Sequence, residues 1–434
     1  MALQYEALPA KVRTKAQALI EDLLLVSVAG RAQASTRKLS DALIGAPGAC
    51  QVWFDEACGL ADGRGRRALA PADAAFANTL SAAALDYDSL NGAVHADLVT
   101  LPAAWAMAEH CQRSPRQMLT AYVAASELVS RLSRSAQGPS RGWSPTSLYG
   151  GMGAALASGL LLELSLDQLV HALGLAAVQA SGTQQANVEP TLAKRLQPAL
   201  AVRTGMQAAL LAQAGATAPQ QALEGRFGIR ALYQAGEDQA VLDGWGECWQ
   251  LLDTAIKAFA VCACGHASIQ ALLDLHERVP FSLEQVATVT ATISPFMQRL
   301  VGGAFDPSAD LQVLAQFNLR YQLAAVLLRG RLSLDDLRPE AVLDPRITEL
   351  LPRIELHVDA HNAAELAPAS VRVELADGRV LEQTCTALPG SPEAPLGDAQ
   401  RQAKAAECGA QAVLLQITAL DQQRQLPSLQ NLLA

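Results

Sequence analysis

Aromatic residues make up only 4% of this 434-residue chain. An interior so short of aromatic rings has to be filled by alanine and leucine, which favour closely packed helices. Positive charge is also scarce. The formal net charge is -9 and the pI is near 5.3, which excludes the basic face that a nucleic-acid partner requires. No apolar run reaches the roughly 20 residues that a bilayer span demands; 19–29 and 156–164 are too short or too interrupted by charge. The opening Met1-Ala-Leu-Gln-Tyr-Glu lacks a basic stretch, an apolar core and a small-residue cleavage site, so secretion is not expected. Cysteines occur only at 50, 58, 111, 248, 262, 264, 385 and 408. That is too sparse for a disulfide framework and fits reduced thiols in a cytoplasm.

What is present is hydrophobic helix. Half of the residues are hydrophobic, enough to bury a large core and to build two or three domains. Helical spacing of apolar residues runs through 11–28, 73–85, 98–110 and 115–130. Segments 149–164, 169–180 and 198–214 are apolar nearly all round, which predicts helices enclosed by other helices at the centre. Ser165 is placed to start one helix and Gly215 to stop another. After about residue 280 the texture changes. The β-branched alternation of 286–294 and 354–358 predicts strands, and Asp377-Gly378 between 370–375 and 379–385 predicts a hairpin. The expected fold class is therefore mainly α with a second α+β domain: a helical domain over 1–259, an α+β lid over 260–392, and a return of 393–434 to the first domain. No internal repeat is evident.

The chemistry concentrates in Ala84-Leu-Asp-Tyr-Asp-Ser-Leu-Asn-Gly-Ala-Val-His95, a polar connection between two apolar helical segments. Aspartates at such an edge commonly do no more than cap a helix. Here Asp86, Asp88 and His95 join Lys194, Arg195, Lys257 and His266 in one list of a neutral-range base, carboxylates and cations. That list suits abstraction of a proton beside a carboxylate, which needs a placed base and preorganised positive charge for the anion that forms. On this reading His95 is the base, Asp86 its orienter, and Lys194 and Lys257 the charge stabilisers. Lys257, His266 or Cys262 would protonate a leaving hydroxyl. Cys262-Ala-Cys264-Gly-His266 lacks the pair spacing and the fourth ligand of a closed zinc site, so no metal is expected. Gly150-Gly-Met-Gly153 follows no strand pattern, which argues against a nicotinamide or flavin site.

Several further segments, in a shared order, resemble the MmgE/PrpD family, which includes 2-methylcitrate dehydratase, cis-aconitate decarboxylase and iminodisuccinate epimerase. They are Ala84-Leu-Asp-Tyr-Asp88, His95 with Leu101-Pro-Ala, Gly142-Trp-Ser-Pro-Thr146, Lys194-Arg-Leu-Gln-Pro, Leu223-Glu-Gly-Arg-Phe-Gly228 and Lys257-Ala-Phe-Ala-Val-Cys-Ala-Cys-Gly-His266. The resemblance covers most of the chain. It implies a helical domain with an α+β lid, a homodimer, and a site between the domains that uses no metal or organic cofactor. It places the family's acidic position on Asp86, its loop histidine on His95, and its two lysines on Lys194 and Lys257. Asp88, Ser144, Arg195, Cys262 and His266 join them as expected substrate-binding residues. The chain departs from the decarboxylase-like members at Ser144 and Cys262, where they carry histidines, and at Leu90, where they carry threonine; at Gln197 many members carry histidine. These departures point away from aconitate decarboxylation. The expected function is a cofactor-independent enzyme abstracting an α-proton from a small di- or tricarboxylate, first a hydro-lyase resembling 2-methylcitrate dehydratase. An epimerase is the alternative, and a catalytically silent dimeric binding protein a further one.

Overall fold

The computed structural model describes residues 3–42, 46–54, 68–137, 141–189, 191–417 and 419–429; Cys58 and the last five positions of the expected C-terminal return lie outside them. The first two thirds are helical. The principal helices are α1 (Ala10–Arg31), α2 (Pro71–Ala83), α3 (Ala96–His110), α4 (Pro115–Arg134), α5 (Pro145–Leu161), α6 (Leu166–Ala177) and α7 (Ala193–Gln213). A small antiparallel pair, β1 (Pro47–Gln51) and β2 (Ala68–Leu69), precedes α2. Local chemistry sets the boundaries: Ser114 before α4 and Ser165 before α6 each form a capping box with the glutamine three residues on, satisfying backbone donors that a helix start leaves open. Gly215, just past α7, takes a positive φ of 96°, the conformation in which glycine ends a helix without strain.

Helix α5 lies at the centre and packs against α3, α4, α6 and α7, as its uniformly apolar sequence predicts. Its neighbours come close because of glycine. A Cβ at Gly205 on α7 would stand 2.1 Å from the backbone oxygen of Gly151 on α5. Gly205→Ala is therefore expected to push the two helices apart at a cost of about 1–3 kcal/mol, read as a lowered urea midpoint with an unchanged m-value. The expectation that α6 is equally enclosed needs correction. It packs mainly on α5 and α7, yet Leu166 at its start and Val178 at its C-cap are exposed, as are Leu200 and Leu211 of α7.

The remaining elements form the α+β part: α8 (Ala263–Arg278), β3 (Val286–Ile293), α9 (Pro295–Val301), α10 (Leu311–Phe317), α11 (Leu319–Arg329), β4 (Ile354–Val358), β5 (Ala369–Leu375) and β6 (Val380–Cys385). The sheet order is β4-β3-β5-β6, with β3 parallel to β4 and the other pairs antiparallel. Alternate residues of β5, from Ala369 to Leu375, are buried, and α8 covers this sheet against β5 and β6. Beyond it, α12 (Asp398–Glu407) returns to α1, where Arg401 meets Glu21 at 2.8 Å and Lys404 meets Asp22 at 2.6 Å. Among the described residues no helix is long and apolar enough to cross a membrane.

Candidate active site

The 84–95 connection between α2 and α3 is anchored from three sides. Leu90 and Ala255 exchange backbone hydrogen bonds of 3.0 and 2.8 Å, tying the loop to the segment that carries Lys257. The backbone N–H of His95 donates to Thr146 Oγ1 at the start of α5, 3.1 Å away. Asp86 has a φ of +51°, a left-handed turn that costs a non-glycine residue energy and that aspartate tolerates better than most. Around that turn Asp86 and Asp88 face one cavity and Tyr87 faces the other way, donating to Glu407 at 3.1 Å.

The cavity encloses about 390 Å³ between helices of the first part and elements of the α+β part. His95 lines it, and its Nδ1 lies 2.7 Å from Asp88 Oδ2 and 3.1 Å from the Ser89 carbonyl. Both partners are acceptors, so Nδ1 carries a proton, and in the neutral ring the lone pair is on Nε2, the arrangement of an oriented general base. Asp88, rather than Asp86, is thus the residue that orients His95. Burial pushes the Asp88 carboxyl up, but His95, through charge and hydrogen bond, together with Lys257 holds the group below its ordinary range.

Asp86 serves the lysines instead. Its Oδ1 pairs with Lys194 Nζ and lies 3.2 Å from Lys257 Nζ, while the Asp86 carbonyl accepts from Lys257 at 2.7 Å. Burial alone would raise the Asp86 carboxyl; Lys194, Lys257 and His95 reverse this and hold it well below the usual carboxylate range. Lys257 is 1% exposed. Burial opposes its charge, and Asp86 with Asp88 more than restores it, so its ammonium is held. Two ammonium groups share one carboxylate whose Oδ2 has no hydrogen-bond partner among the described residues. The cluster therefore keeps positive charge for an anionic guest.

A pH consequence follows. Because Asp86 is held below its unfolded value near 4, its ionised form stabilises the fold above that pH, and the contribution is lost as acid drives the pH down through the folded value. Asp86→Asn is expected to lower the urea midpoint at pH 7 and to shrink the gap between midpoints at pH 7 and pH 3. An unchanged gap would remove Asp86 from the acid limb.

The other expected residues divide. Ser144, at the N-cap of α5, lines the cavity with its Oγ 3.4 Å from Ser147 Oγ. Arg195 also lines it, but its guanidinium is buried and reaches Ser35 at 3.3 Å and Gln312 at 3.4 Å. Cys262 lines it from the N-cap of α8; a hydrogen bond from Cys264 lowers its thiol pKa and raises that of Cys264. His266 does not reach the cavity. Its ring is wholly buried, with Nε2 3.2 Å from the Val261 carbonyl and an edge-on Phe259 5.2 Å away. Burial and then Lys257 push its pKa down to about 3, which favours the neutral ring. Among the described residues no group of three His, Cys, Asp or Glu side chains is arranged to hold a metal ion.

Sequence reading missed the opposite wall, formed by Phe296 and Leu300 of α9, Phe317 of α10, and Glu365 and Leu366. It also missed Lys404 of α12. Its buried Nζ donates to the carbonyls of Tyr87 and Lys257, each at 3.0 Å, and lies 4.0 Å from the Tyr87 ring centroid. A larger cavity, about 1070 Å³, opens behind the loop past Tyr87, Lys404 and Glu407 and contains none of the expected site residues.

A helical body with an α+β partner, enclosing a base, carboxylates and lysines, is the architecture of a carboxylate-acting enzyme family. The MmgE/PrpD N-terminal domain matches residues 1–241 and the MmgE/PrpD C-terminal domain residues 259–424; the chain belongs to the MmgE/PrpD family. A cis-aconitate decarboxylase-like protein, oryM, of Aspergillus oryzae is 28% identical over 76% of this chain and 74% of its own. The cis-aconitate decarboxylase of Aspergillus terreus is 25% identical over 91% of this chain and 83% of its own. The human cis-aconitate decarboxylase is 26% identical over 76% and 70% respectively.

Proposed function

We propose that the protein is a cofactor-independent enzyme that removes the α-proton of a small carboxylate substrate with His95 and eliminates water from the resulting anion, as a hydro-lyase. The observation that carries this reading is the adjacency, in one cavity, of the Asp88–His95 pair and the Lys194–Asp86–Lys257 cluster. The first supplies an oriented lone pair, the second a fixed positive field for the dianionic carboxylate that forms. Asp88 holds the proton on Nδ1 and stabilises the imidazolium afterwards. Cys262, whose thiol lines the same cavity, is the donor this reading assigns to the leaving hydroxyl.

One observation favours a second reading, an isomerase. Among the described residues His95 is the only histidine lining the cavity, so no second imidazole stands ready to protonate a leaving group. An epimerase needs only to return the proton to the other face. The curated relatives are named for decarboxylation, and the same experiment tests that outcome. Purified protein is incubated in deuterium oxide with methylcitrate, citrate, aconitate, tartrate and iminodisuccinate and followed by proton NMR. Exchange with loss of water supports the hydro-lyase, and exchange with inverted configuration the isomerase. Loss of carbon dioxide without water would assign the relatives' chemistry, and inertness toward every compound would leave only a binding protein. Cys264→Ser is expected to keep most of the activity, because a serine hydroxyl can still donate to the Glu365 carbonyl that accepts from the Cys264 thiol at 3.7 Å.

A cytoplasmic homodimer accompanies this proposal. The exposed leucine and valine side chains of α6 and α7 support a second copy as cover, since apolar patches of this kind mark association surfaces. Sedimentation at the monomer mass would remove that part of the reading.

A further inference from the structure

The cavity has two chemically distinct walls. His95, Asp86, Asp88, Lys194 and Lys257 form one. The α+β part contributes an apolar group, Phe296, Leu300, Phe317 and Leu366, besides Cys262, Ala263 and Cys264, with Glu365 as its only carboxylate among the described residues. Lys194 Nζ lies over the Phe317 ring, 4.5 Å from its centroid, so the boundary between the walls runs through that contact. Arg299, next to Leu300, is turned onto the Phe296 ring at 5.1 Å and does not line the cavity. Its charge acts on Glu365, whose carboxyl burial pushes up.

Charge limits the guest as well. Of the lining residues, Lys194, Lys257, Arg195 and Arg134 are cations, and Asp86, Asp88 and Glu365 are carboxylates. The surplus is one positive charge, and the charge His95 gains with a proton is balanced by the one the guest acquires in losing it. Arg134 is already committed to Asp253 at 3.3 Å and to Asn91 at 2.9 Å. Lys194 and Lys257 offer one ammonium each to a guest with two carboxylates. A carboxylate placed among Phe296, Leu300, Phe317 and Leu366 would lose its hydration beside Glu365.

We infer that the substrate of this cavity is a dicarboxylate carrying an aliphatic arm, its carboxylates on the lysine wall and its arm against Phe296, Leu300, Phe317 and Leu366. The inference rests on the proton-abstraction reading for which end reacts, and it makes Phe296 and Leu300 the residues that set specificity. An arm buried among such side chains gains with each methylene, and a group of the wrong polarity is rejected more strongly than one of the wrong size.

Citrate and 2-isobutylmalate provide the test, because they differ only in one carboxylate replaced by an isopropyl group of nearly the same shape. Binding of each to the wild-type protein is measured by calorimetry, and α-hydrogen exchange by NMR in deuterium oxide. The expected result is at least about ten-fold tighter binding of 2-isobutylmalate, with Leu300→Lys moving the preference toward citrate. Citrate binding as tightly as 2-isobutylmalate, or neither compound binding, overturns the inference whatever the variant does. Preferential binding of 2-isobutylmalate with no exchange of its α-hydrogens supports the assignment of the walls and instead sinks the proton-abstraction reading.

Discussion

His95→Gln is expected to slow α-hydrogen exchange by about 10²–10⁴-fold while leaving the urea midpoint close to that of the wild type. The amide of glutamine can still donate to Asp88 Oδ2, which now meets His95 Nδ1 at 2.7 Å. What glutamine lacks is the second nitrogen with a free lone pair. The half-exposed position of the ring at the cavity edge means that little packing is lost with it. Asp88→Asn provides the companion measurement. It removes the acceptor that fixes the Nδ1 tautomer and the charge that stabilises the imidazolium, so exchange falls and its dependence on pH shifts. Full exchange in His95→Gln would remove the proposed mechanism.

The second large effect is on stability as well as activity. Lys257→Met is expected to cost about 3–5 kcal/mol, the usual penalty for removing one partner of a buried ion pair, and to abolish exchange. The lost ammonium donates to the Asp86 carbonyl at 2.7 Å and lies 3.2 Å from the carboxylate. Without it the Asp86 carboxylate keeps Lys194 as its only ammonium partner, with the charge of His95 beside it, and its pKa rises. A double variant, Asp86→Asn with Lys257→Met, is expected to be more stable than the sum of the single changes predicts, because the second removal no longer strands a buried charge. Strict additivity in denaturant titrations would contradict the shared cluster.

The helices, the four-stranded sheet and its hairpin were legible because each repeats a local spacing: 3.6 residues in α1 to α5, two residues in β3 and β5, and Asp377-Gly378 at the turn, where Gly378 takes a φ of +86°. The same local rule misled at α6. An apolar helix surface says that cover is wanted, and the spacing along the strand of sequence carries no record of what supplies it. In the site, residue types were readable and directions were not. Asp86 and Asp88 are two positions apart in one loop, and the left-handed turn at Asp86 decides which aspartate meets the imidazole and which meets the lysines. His266 lies one helical turn from Cys262, a spacing that suggests a shared face. Cys262, however, is the N-cap and has a non-helical backbone, so the two side chains diverge. Phe296, Leu300 and Lys404 carried no motif at all, since only the folded chain brings them beside the 84–95 loop.

Lys404 has a consequence for how the enzyme comes into being. All five polar groups of the lysine wall have been synthesised once residue 257 is added, yet the carbonyls of Tyr87 and Lys257 meet their common donor only through α12. A nascent chain paused at that stage holds the proposed base and both lysines and still lacks Cys262 and the Lys404 donor that joins the two carbonyls. On the proposed reading, competence for turnover switches on late in translation, when residue 404 emerges and docks against Asp22.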